Sequence, residues 1–439
     1  MTRIAVVTGT RAEYGLLRPV MRAIAQRREL QLGVIATGMH LLKKFGLTVR
    51  QIETDRWPIL ARVRMQKGDD DPLDQARGLS RGVAGIAEAL QAWDDHVVLV
   101  LGDRIEALAG ALAGTATGRI VAHIHGGDVA PGDFDDPQRH AITKLAHVHF
   151  AATKTAARRI TRMGEEPWRV HVVGAPGLDD LVELAMCLRA ASRRAPDSRS
   201  SITLPASTGS STRTQDAAAS LGPVGSSLAE AGTSSPFARQ SRGAPPRGLK
   251  PRGSPGSADS FALVIQHAYG RSRVVERRVA AMVLDAVAAG GLRRVVVYPN
   301  SDRGHTGVID AIEAHAQRSP AGSVEVHRSM PRDAFLRALI GARLVIGNSS
   351  CGIIEAASAG TPSVNVGDRQ RGREKAGRCV IDADESPVAI RRAIAAALRL
   401  RPRPGRTTVY GDGRAGTRIA EILASLTSDE ALRQKRMSY

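Results

Sequence analysis

The 439-residue sequence is poor in cysteine and in long apolar runs, and each shortage excludes a class of protein. Its three cysteines, Cys187, Cys351 and Cys379, are odd in number and lack a C-x-x-C spacing, so we predict neither a disulfide framework nor a zinc site. No run approaches the roughly 18 apolar residues of a membrane span. The apolar run 4–7 is too short for a signal peptide. These absences predict a soluble, cytoplasmic protein of several domains.

Basic residues outnumber acidic ones by 62 to 43, which gives a formal net charge of +19. Such a balance is typical of proteins that bind nucleic acid or a membrane surface. Only 8 of the basic residues are lysine, however, and aromatic residues, on which bases would stack, make up 3% of the chain. We therefore predict no nucleic-acid and no membrane partner, and keep a basic polyanion-binding protein as the non-enzymatic hypothesis.

The composition changes abruptly over residues 189–260, which contain 16 serines, 8 glycines and 8 prolines. Such a segment buries too little apolar surface to offset its ordering entropy, so we predict a disordered insertion. The prediction divides the rest of the chain into a first domain over 1–188, a second domain over 261–400 and a basic, partly helical tail over 401–439.

On both sides of the insertion, short apolar runs alternate with helical stretches, which is the pattern of parallel α/β domains. We predict two Rossmann-like, doubly wound domains with a ligand cleft between the carboxyl ends of their strands, an arrangement called GT-B-like. The predicted strands are 4–8, 32–37, 97–101, 120–124, 148–151 and 170–173, then 262–266, 294–298, 324–327, 344–346 and 363–366. The predicted helices include 14–26, 82–92, 106–116, 272–289, 331–340 and 352–359.

Two segments of the first domain place polar groups directly after a strand. Gly9 and Arg11 follow the first strand, where backbone N–H groups at a helix start and a guanidinium could bind an anion, although a solvated arginine is the alternative. The segment is not G-x-G-x-x-G, so no dinucleotide site is predicted. Asp103 follows the strand 97–101 and is either a ligand-facing carboxylate or the N-cap of the next helix.

The segment 123–140 is rich in ionisable groups, and residues 123–149 hold five of the twelve histidines. His123 and His125 would share one face of a strand, which raises the question of a metal site. The carboxylates that follow have no compact ligand spacing, so we predict no metal. Acid–base chemistry at the cleft edge is the favoured interpretation, and a polar loop tied together by Arg139 is the alternative.

In the second domain, the strand 344–346 leads into Ser349 and Ser350, whose hydroxyl and N–H groups suit a diphosphate at a helix N-terminus. A plain N-cap at Ser349 is the alternative. Glu355 could accept hydrogen bonds from both hydroxyls of a ribose. Further basic residues follow from Arg369, which suit a phosphate or form a solvated surface run.

Taken together, these motifs closely resemble one family, the hydrolysing UDP-N-acetylglucosamine 2-epimerases of sialic-acid-type sugar biosynthesis. The resemblance covers residues 1–188 and 261–400. It rests on T-G-T-R-A-E-Y at 8–14, G-D-R at 102–104, H-I-H-G-G-D at 123–128, R-H-A-I-T-K at 139–144, Q-H at 266–267, Y-P-N-S-D at 298–302 and G-N-S-S-x-G-I-x-E at 347–355.

The resemblance implies a set of roles for the candidate residues. It places a UDP-sugar as the substrate partner, a homodimer or homotetramer as the assembly, and neither metal nor nicotinamide cofactor. The implied catalytic residues are Asp103, His125, Asp128, Asp135 and His267. The implied UDP-binding residues are Arg11, Arg104, Asn300, Asp302, Ser349, Ser350, Glu355 and Arg369.

The implied reaction eliminates UDP across C1–C2 of the sugar and then hydrates the acetamidoglycal, which releases N-acetylmannosamine. One departure concerns His125, which stands where many members of the family have glutamate in an H-x-E-G-G motif. His125 or Asp128 would then carry the second proton. H-x-H-G-G also occurs in relatives that act on a UDP-2,4-diacetamido-trideoxyhexose (diacetylbacillosamine), which is the alternative substrate. A non-hydrolysing epimerase and a GT-B glycosyltransferase are the other enzymatic hypotheses.

Overall fold

The computed structural model describes residues 1–94, 96–131, 135–194, 260–402, 409–426, 430–436 and 438. Almost all of the predicted insertion 189–260 therefore lies outside the described residues. The described residues up to Cys187 and from Ser260 onward belong to one compact unit, which contains the predicted second domain and all but the last residue of the predicted first domain.

The first domain alternates strands and helices in chain order. Its strands are β1 (Thr2–Thr8), β2 (Leu30–Thr37), β3 (Ile59–Val63), β4 (Val97–Leu101), β5 (Ile120–Ile124), β6 (Val148–Ala151) and β7 (Val170–Val172). Its helices are α1 (Arg11–Ala25), α2 (Val49–Thr54), α3 (Pro72–Trp93), α4 (Ile105–Ala116), α5 (Asp135–Leu145), α6 (Lys154–Arg162) and α7 (Gly177–Arg194).

The second domain repeats the scheme. Its strands are β8 (Phe261–Ile265), β9 (Arg293–Val297), β10 (Val324–His327), β11 (Leu344–Gly347), β12 (Ser363–Val366) and β13 (Val380–Ala383). Its helices are α8 (Arg273–Ala289), α9 (His305–Arg318), α10 (Arg332–Gly341), α11 (Glu355–Ala359) and α12 (Pro387–Arg399), and the chain ends with α13 (Ala415–Ser425) and α14 (Glu430–Arg433).

Both sheets are parallel and doubly wound, as predicted. The first has the strand order β3-β2-β1-β4-β5-β6-β7 and the second β10-β9-β8-β11-β12-β13. In each, the order reverses beside the first strand of the domain, and such a switch point is where doubly wound sheets bind ligands. The β1/β4 and β8/β11 pairs therefore mark where a site is expected.

Each sheet is buried on both faces, which explains why its central strands are continuous apolar runs. In β1, Ile4 and Val6 pack into one hydrophobic core, whereas Ala5 and Val7 pack into the core on the opposite face. Leu263 in β8 likewise faces a core distinct from that of its neighbours in the strand. The alternation follows from the period of two in a strand.

The C-terminal helices return to the first domain. Ile419 and Leu423 of α13 and Leu432 of α14 are buried in the core that contains β1 and α1. Arg169 donates to the backbone carbonyls of Leu432 and Ala431, each at 2.8 Å. Helices α13 and α14 are thus packed against the first domain, whereas Tyr410, which precedes them, is buried in a core that contains β8 of the second domain.

Three helices begin three or more residues from their predicted starts. Helix α3 begins at Pro72 rather than at Gly82, with Asp71 as its N-cap. Helix α1 begins at Arg11 rather than Tyr14, because Thr10 and Glu13 form a capping box in which each side chain binds the other's backbone N–H. Helix α11 begins only at Glu355, after a 3₁₀ turn over Ser350–Gly352. Over the described ranges, none of the helices has an apolar stretch sufficient for a membrane span.

Candidate functional site

The carboxyl ends of the central strands of both sheets border a shared cleft of about 970 Å³, part of it open to solvent. Within the described residues, eleven of the thirteen predicted site residues line this cleft. They are Asp103, Arg104, His125, Asp128, Asp135, His267, Asn300, Ser349, Ser350, Glu355 and Arg369. The other two residues, Arg11 and Asp302, lie beside the cleft. Asp302 forms an ion pair with Arg369, which lines the cleft, and Arg11 lies near the positive charge of Arg332.

Asp103 follows β4 and forms an ion pair with Arg139 of α5. The alternative interpretation, in which Asp103 caps α4, is wrong: the N-cap of α4 is Arg104, and its side chain makes no capping hydrogen bond. Arg139 also donates to the carbonyl of His125 at 3.0 Å, so one buried guanidinium links the ends of β4 and β5. The polar loop tied together by Arg139, which was the alternative interpretation of the segment 123–140, is therefore present. The same arginine also holds the carboxylate of Asp103 at the cleft.

Asp135 is the first residue of α5 and faces the cleft together with Asp103. Burial and the neighbouring Asp103 carboxylate raise the pKa of Asp135 well above its usual range, and Arg369, with a nitrogen 3.5 Å from Asp135 Oδ2, opposes the shift. Two nearby carboxylates do not both ionise readily, so one of them retains a proton at a higher pH. This arrangement can supply an acid near neutral pH.

His125 lies just past the end of β5 with a φ of +65°, so it does not continue the strand alternation with His123. Its Nδ1 donates to Asp128 Oδ2 at 3.0 Å, which leaves Nε2 as the nitrogen that a ligand could meet. His123 turns away and donates from Nε2 to the carbonyl of Gly102 at 2.7 Å. Nowhere in the described ranges do three His, Cys, Asp or Glu side chains gather around a common metal position.

Arg373, from the loop that follows β12, reaches across the cleft to Asp128, with NH1 2.7 Å from Oδ2. Although burial opposes it, this guanidinium lowers the pKa of Asp128 below its usual range. Arg371, two residues earlier, is exposed and pairs with Asp368. The basic run therefore divides: Arg369 and Arg373 line the cleft, and Arg371 is a solvated surface residue.

Ser349 and Ser350 line the second-domain wall of the cleft, but they lead into a 3₁₀ turn, of which Ser350 is the first residue, instead of an α-helix. The predicted α-helix start at 352 is therefore wrong, and so is the plain side-chain N-cap, since Ser349 precedes the 3₁₀ turn without a side-chain capping hydrogen bond. The diphosphate site at these serines stays a prediction. The two hydroxyl groups remain as ligand donors. Glu355, the first residue of α11, also faces the cleft, and NH1 of Arg332 lies 3.2 Å from its Oε1.

His267 is fixed by backbone and ring contacts alike. The side chain of Asn348 accepts from its N–H at 2.7 Å and donates to its carbonyl at 2.9 Å. The ring Nδ1 accepts from the N–H of Asn300 at 3.2 Å. Burial lowers the pKa of His267 to about 3, and Arg369 adds to the shift. The ring is therefore neutral at pH 7 and carries its proton on Nε2, where it can donate to a ligand.

Arg104 and Asp302 join the two domains beside the cleft, with NH1 2.7 Å from Oδ1. Arg369 lies 3.6 Å from the other oxygen of Asp302. Although burial opposes it, these two guanidinium groups lower the pKa of Asp302. Arg11 is nearly buried, its NH1 has no hydrogen-bond partner in the described part of the chain, and burial with nearby Arg332 lowers its pKa to about 10.

Sequence reasoning missed several cleft residues. Glu13 and Gln370 line the cleft without having been singled out, and Arg373 was included only as one of the basic residues suited to a phosphate. The T-x-x-E spacing of Thr10 and Glu13 is a readable capping-box signal. Gln370 has no comparable signal, and nothing in the basic run that contains Arg373 indicates its contact with Asp128 across the cleft.

The sequence matches the UDP-N-acetylglucosamine 2-epimerase family over residues 22–206 and 248–424. The chain belongs to this family. It is 30% identical over 437 residues to the UDP-N,N'-diacetylbacillosamine 2-epimerase (hydrolyzing) of Legionella pneumophila, covering 100% of this chain and 99% of that protein. It is 28% identical over 438 residues to the UDP-N-acetylglucosamine 2-epimerase of Neisseria meningitidis, covering 99% and 98%. The family resemblance inferred from the motifs is confirmed.

Solved structures of this epimerase family share the fold. The Neisseria meningitidis UDP-GlcNAc 2-epimerase bound to UDP-GlcNAc has a TM-score of 0.64 at 14% identity and covers 97% of this chain and 100% of that one. The Methanocaldococcus jannaschii UDP-GlcNAc 2-epimerase, in complex with UDP-GlcNAc and UDP, has a TM-score of 0.65 at 15% identity, covering 96% and 99%. The predicted two-domain, GT-B-like architecture is confirmed.

Proposed function

We propose that this epimerase-family member is hydrolysing: it eliminates UDP from a UDP-N-acetylhexosamine and hydrates the resulting glycal. The observation that carries the proposal is that one cleft has Asp103 and Asp135 on its first-domain side and Ser349, Ser350 and Arg369 on its second-domain side. The first set suits proton transfer at a sugar ring. The second suits a diphosphate, because hydroxyl and guanidinium groups donate to its oxygens.

On the nucleotide side, we place the diphosphate between Arg369 and the serine hydroxyls. The neutral His267 donates to it from Nε2, and Arg11, with an unpartnered N–H, supplies a second charge. Glu355 is oriented by Arg332 to accept from the ribose hydroxyls. The loop of Asn300 and Asp302, held by Arg104, lies on the uridine side.

On the sugar side, two steps follow. A base removes the C2 proton while the C1–oxygen bond breaks, so that UDP leaves with its electron pair and an acetamidoglycal remains. Water then gives its oxygen to C1, and a proton reaches C2 from the opposite face, which yields the 2-epimer. We assign Asp103 and Asp135 to these transfers, with Asp135 as the acid because its pKa is raised.

We assign to His125 the proton that the water loses when its oxygen bonds to C1. Asp128 is occupied by both His125 and Arg373, whereas the imidazole Nε2 remains available to the cleft. The same cleft stabilises the leaving group through arginine and hydroxyl donors, which matters because the C2 proton of a sugar is weakly acidic. We extend the proposal to a homodimer or homotetramer, which sedimentation of the purified chain will test. We also propose a cytoplasmic location.

Two substrates fit this reaction. UDP-N-acetylglucosamine, which gives N-acetylmannosamine, is the first. UDP-N,N'-diacetylbacillosamine is the second, and it is favoured by the 30% identity to the Legionella pneumophila enzyme that carries this name, over nearly the whole of both chains.

The test is incubation of the purified chain with each UDP-sugar, without added metal or nicotinamide, with products followed by NMR. The proposal expects UDP and a free 2-epimerised sugar from one of the two. A UDP-sugar product would indicate a non-hydrolysing epimerase, and UDP release that requires an acceptor would indicate a glycosyltransferase. In the Asp103→Asn variant, turnover should disappear while UDP binding remains, because Asp103 caps no helix.

A further inference from the structure

One hydrogen-bonded chain of side chains connects the nucleotide wall of the cleft to His125. It begins at the carbonyl of Asn348, directly before Ser349, which accepts from Gln370 Nε2 at 3.1 Å. Gln370 Oε1 accepts from Arg373 Nε at 2.8 Å. Arg373 NH1 then donates to Asp128 Oδ2 at 2.7 Å, the oxygen that also accepts from His125 Nδ1 at 3.0 Å.

Every member of this chain is buried. Asn348 is 1% exposed, Gln370 3%, Asp128 5% and His125 7%, and the Arg373 side chain is 7% exposed. Hydrogen bonds between buried groups are stronger than those in water, and an unpaired member is costly. Each bond therefore restricts the position of the next side chain.

We propose that Arg373 is a positioning residue for His125, which it orients through Asp128 when the second domain lies against the first. This inference rests on the proposed function, since it gives His125 a proton to carry. Arg373 fixes Asp128, and Asp128 fixes the tautomer and the ring plane of His125, so that Nε2 meets the sugar. Gln370 anchors Arg373 to the loop that precedes Ser349.

Geometry explains why arginine is suited to this position. Its planar guanidinium can bind Gln370 through Nε and Asp128 through NH1 at the same time, which the single ammonium group of lysine reproduces only in part. The contact also crosses the cleft, because Asp128 follows β5 of the first domain and Arg373 follows β12 of the second. His125 is thus supported from the wall that holds the diphosphate.

The test compares Arg373→Met with Arg371→Met in the full chain. Arg371 is a matched control, since it lies in the same loop but its side chain is 74% exposed and pairs only with Asp368 among the ion pairs of the described residues. We expect Arg373→Met to lower kcat by about 100-fold, the size of effect that a small misplacement of a reacting group produces. UDP affinity should stay within about threefold, and Arg371→Met should match the wild type in both measurements.

Two further variants show whether Arg373 acts through Asp128. Arg373→Lys should recover part of the lost kcat. Adding Arg373→Met to Asp128→Asn should cost little beyond Asp128→Asn alone, because the two residues act on His125 in series. If Arg373→Met does not fold, Arg373→Lys with Asp128→Asn provides the same comparison.

A readout independent of turnover separates this inference from the proposed function. In ¹⁵N-histidine-labelled protein, the ring signals of His125, assigned with His125→Gln, should show the Nδ1–H tautomer in the wild type and should change in Arg373→Met but not in Arg371→Met. A wild type that releases no UDP overturns the proposed function alone. Unchanged ring signals and unchanged kcat in Arg373→Met overturn the positioning role. An equal loss of UDP affinity and of kcat/KM also overturns it, and would make Arg373 a substrate-binding residue.

Discussion

Replacement of Glu13 by glutamine should remove a pH-dependent loss of stability. The Glu13 side chain is buried at the cleft wall, and its Oε2 accepts from the N–H groups of Gly9 at 2.8 Å and Thr10 at 3.3 Å. Burial raises the pKa of Glu13 to about 8, and the nearby Glu106 adds to the shift while the Gly9 N–H opposes it. At neutral pH this carboxyl group is therefore protonated in the folded chain and charged in the unfolded chain.

The size of the effect follows from proton linkage. Because the folded-state pKa of Glu13 lies above the unfolded value, the folded chain binds the proton more tightly, and stability falls as pH rises from 4.5 towards 8. Below pH 4.5 the group is protonated in both the folded and the unfolded chain, so it contributes nothing to the pH dependence of stability. One pKa unit corresponds to about 1.36 kcal/mol, so the free energy of unfolding loses ~2.5 kcal/mol from this group between pH 5 and pH 7.

The assay is urea unfolding at pH 5 and pH 7, followed by circular dichroism, for the wild type, Glu13→Gln and Glu88→Gln. Glutamine keeps an oxygen acceptor for the Gly9 N–H but cannot ionise. Relative to the wild type, Glu13→Gln should therefore gain ~2.5 kcal/mol of stability between pH 5 and pH 7. Glu88, exposed on α3, is the control and should follow the wild type. If Glu13→Gln and the wild type change equally with pH, the reasoning is refuted.

Two other predictions concern the cleft and its supporting turn. If Asp135 donates a proton, kcat should fall as the pH rises through the raised pKa of Asp135. Arg369→Gln should move this fall to higher pH, because it removes the positive charge that lowers the pKa of Asp135. A kcat that stays flat to pH 9 would contradict the assignment. Gly127→Ala should destabilise the fold by about 2–3 kcal/mol, as measured by urea unfolding. Gly127 has a φ of +72°, and a Cβ at this position would collide with the carbonyl oxygen of Ala156. An unchanged urea midpoint of unfolding would contradict this prediction.

Most of the strands that the sequence predicted well are buried on both faces, although the partly exposed edge strand β10 was also predicted. The bounds of β4, β5, β6, β10 and β12 match the prediction, and the other predicted strands differ by one or two residues at an end. Strands β3 and β13 escaped prediction, and each lies at the edge of its sheet and is partly exposed. Arg62 and Asp382 interrupt their apolar patterns, so no continuous run marks them.

The site could be predicted as far as it depends on strand ends. Parallel strands bring their carboxyl ends to one edge, so Asp103, His125 and Ser349 could be placed near a ligand from their sequence positions alone. Their partners could not. Arg139 reaches Asp103 from 36 residues away, and Arg373 lies 245 residues from Asp128, so both pairs depend on how helices and domains pack. Local patterns carry no information about such pairs.

Arginine holds the carboxylates of the cleft, which gives part of the arginine excess a structural meaning. The pairs are Asp103 with Arg139, Asp128 with Arg373, and Asp302 with Arg104 and Arg369. A guanidinium group stays charged when buried, whereas a buried lysine readily loses its proton, so arginine keeps these carboxylates paired in the cleft.

The pairs to Asp128 and Asp302 join the two domains. If the cleft opens, water solvates their separated charges, whereas an apolar contact of the same area would lose about 25 cal/mol for each Å² exposed. Charge pairs thus join the two domains across the cleft, and separating them would cost less than separating an apolar contact of the same area.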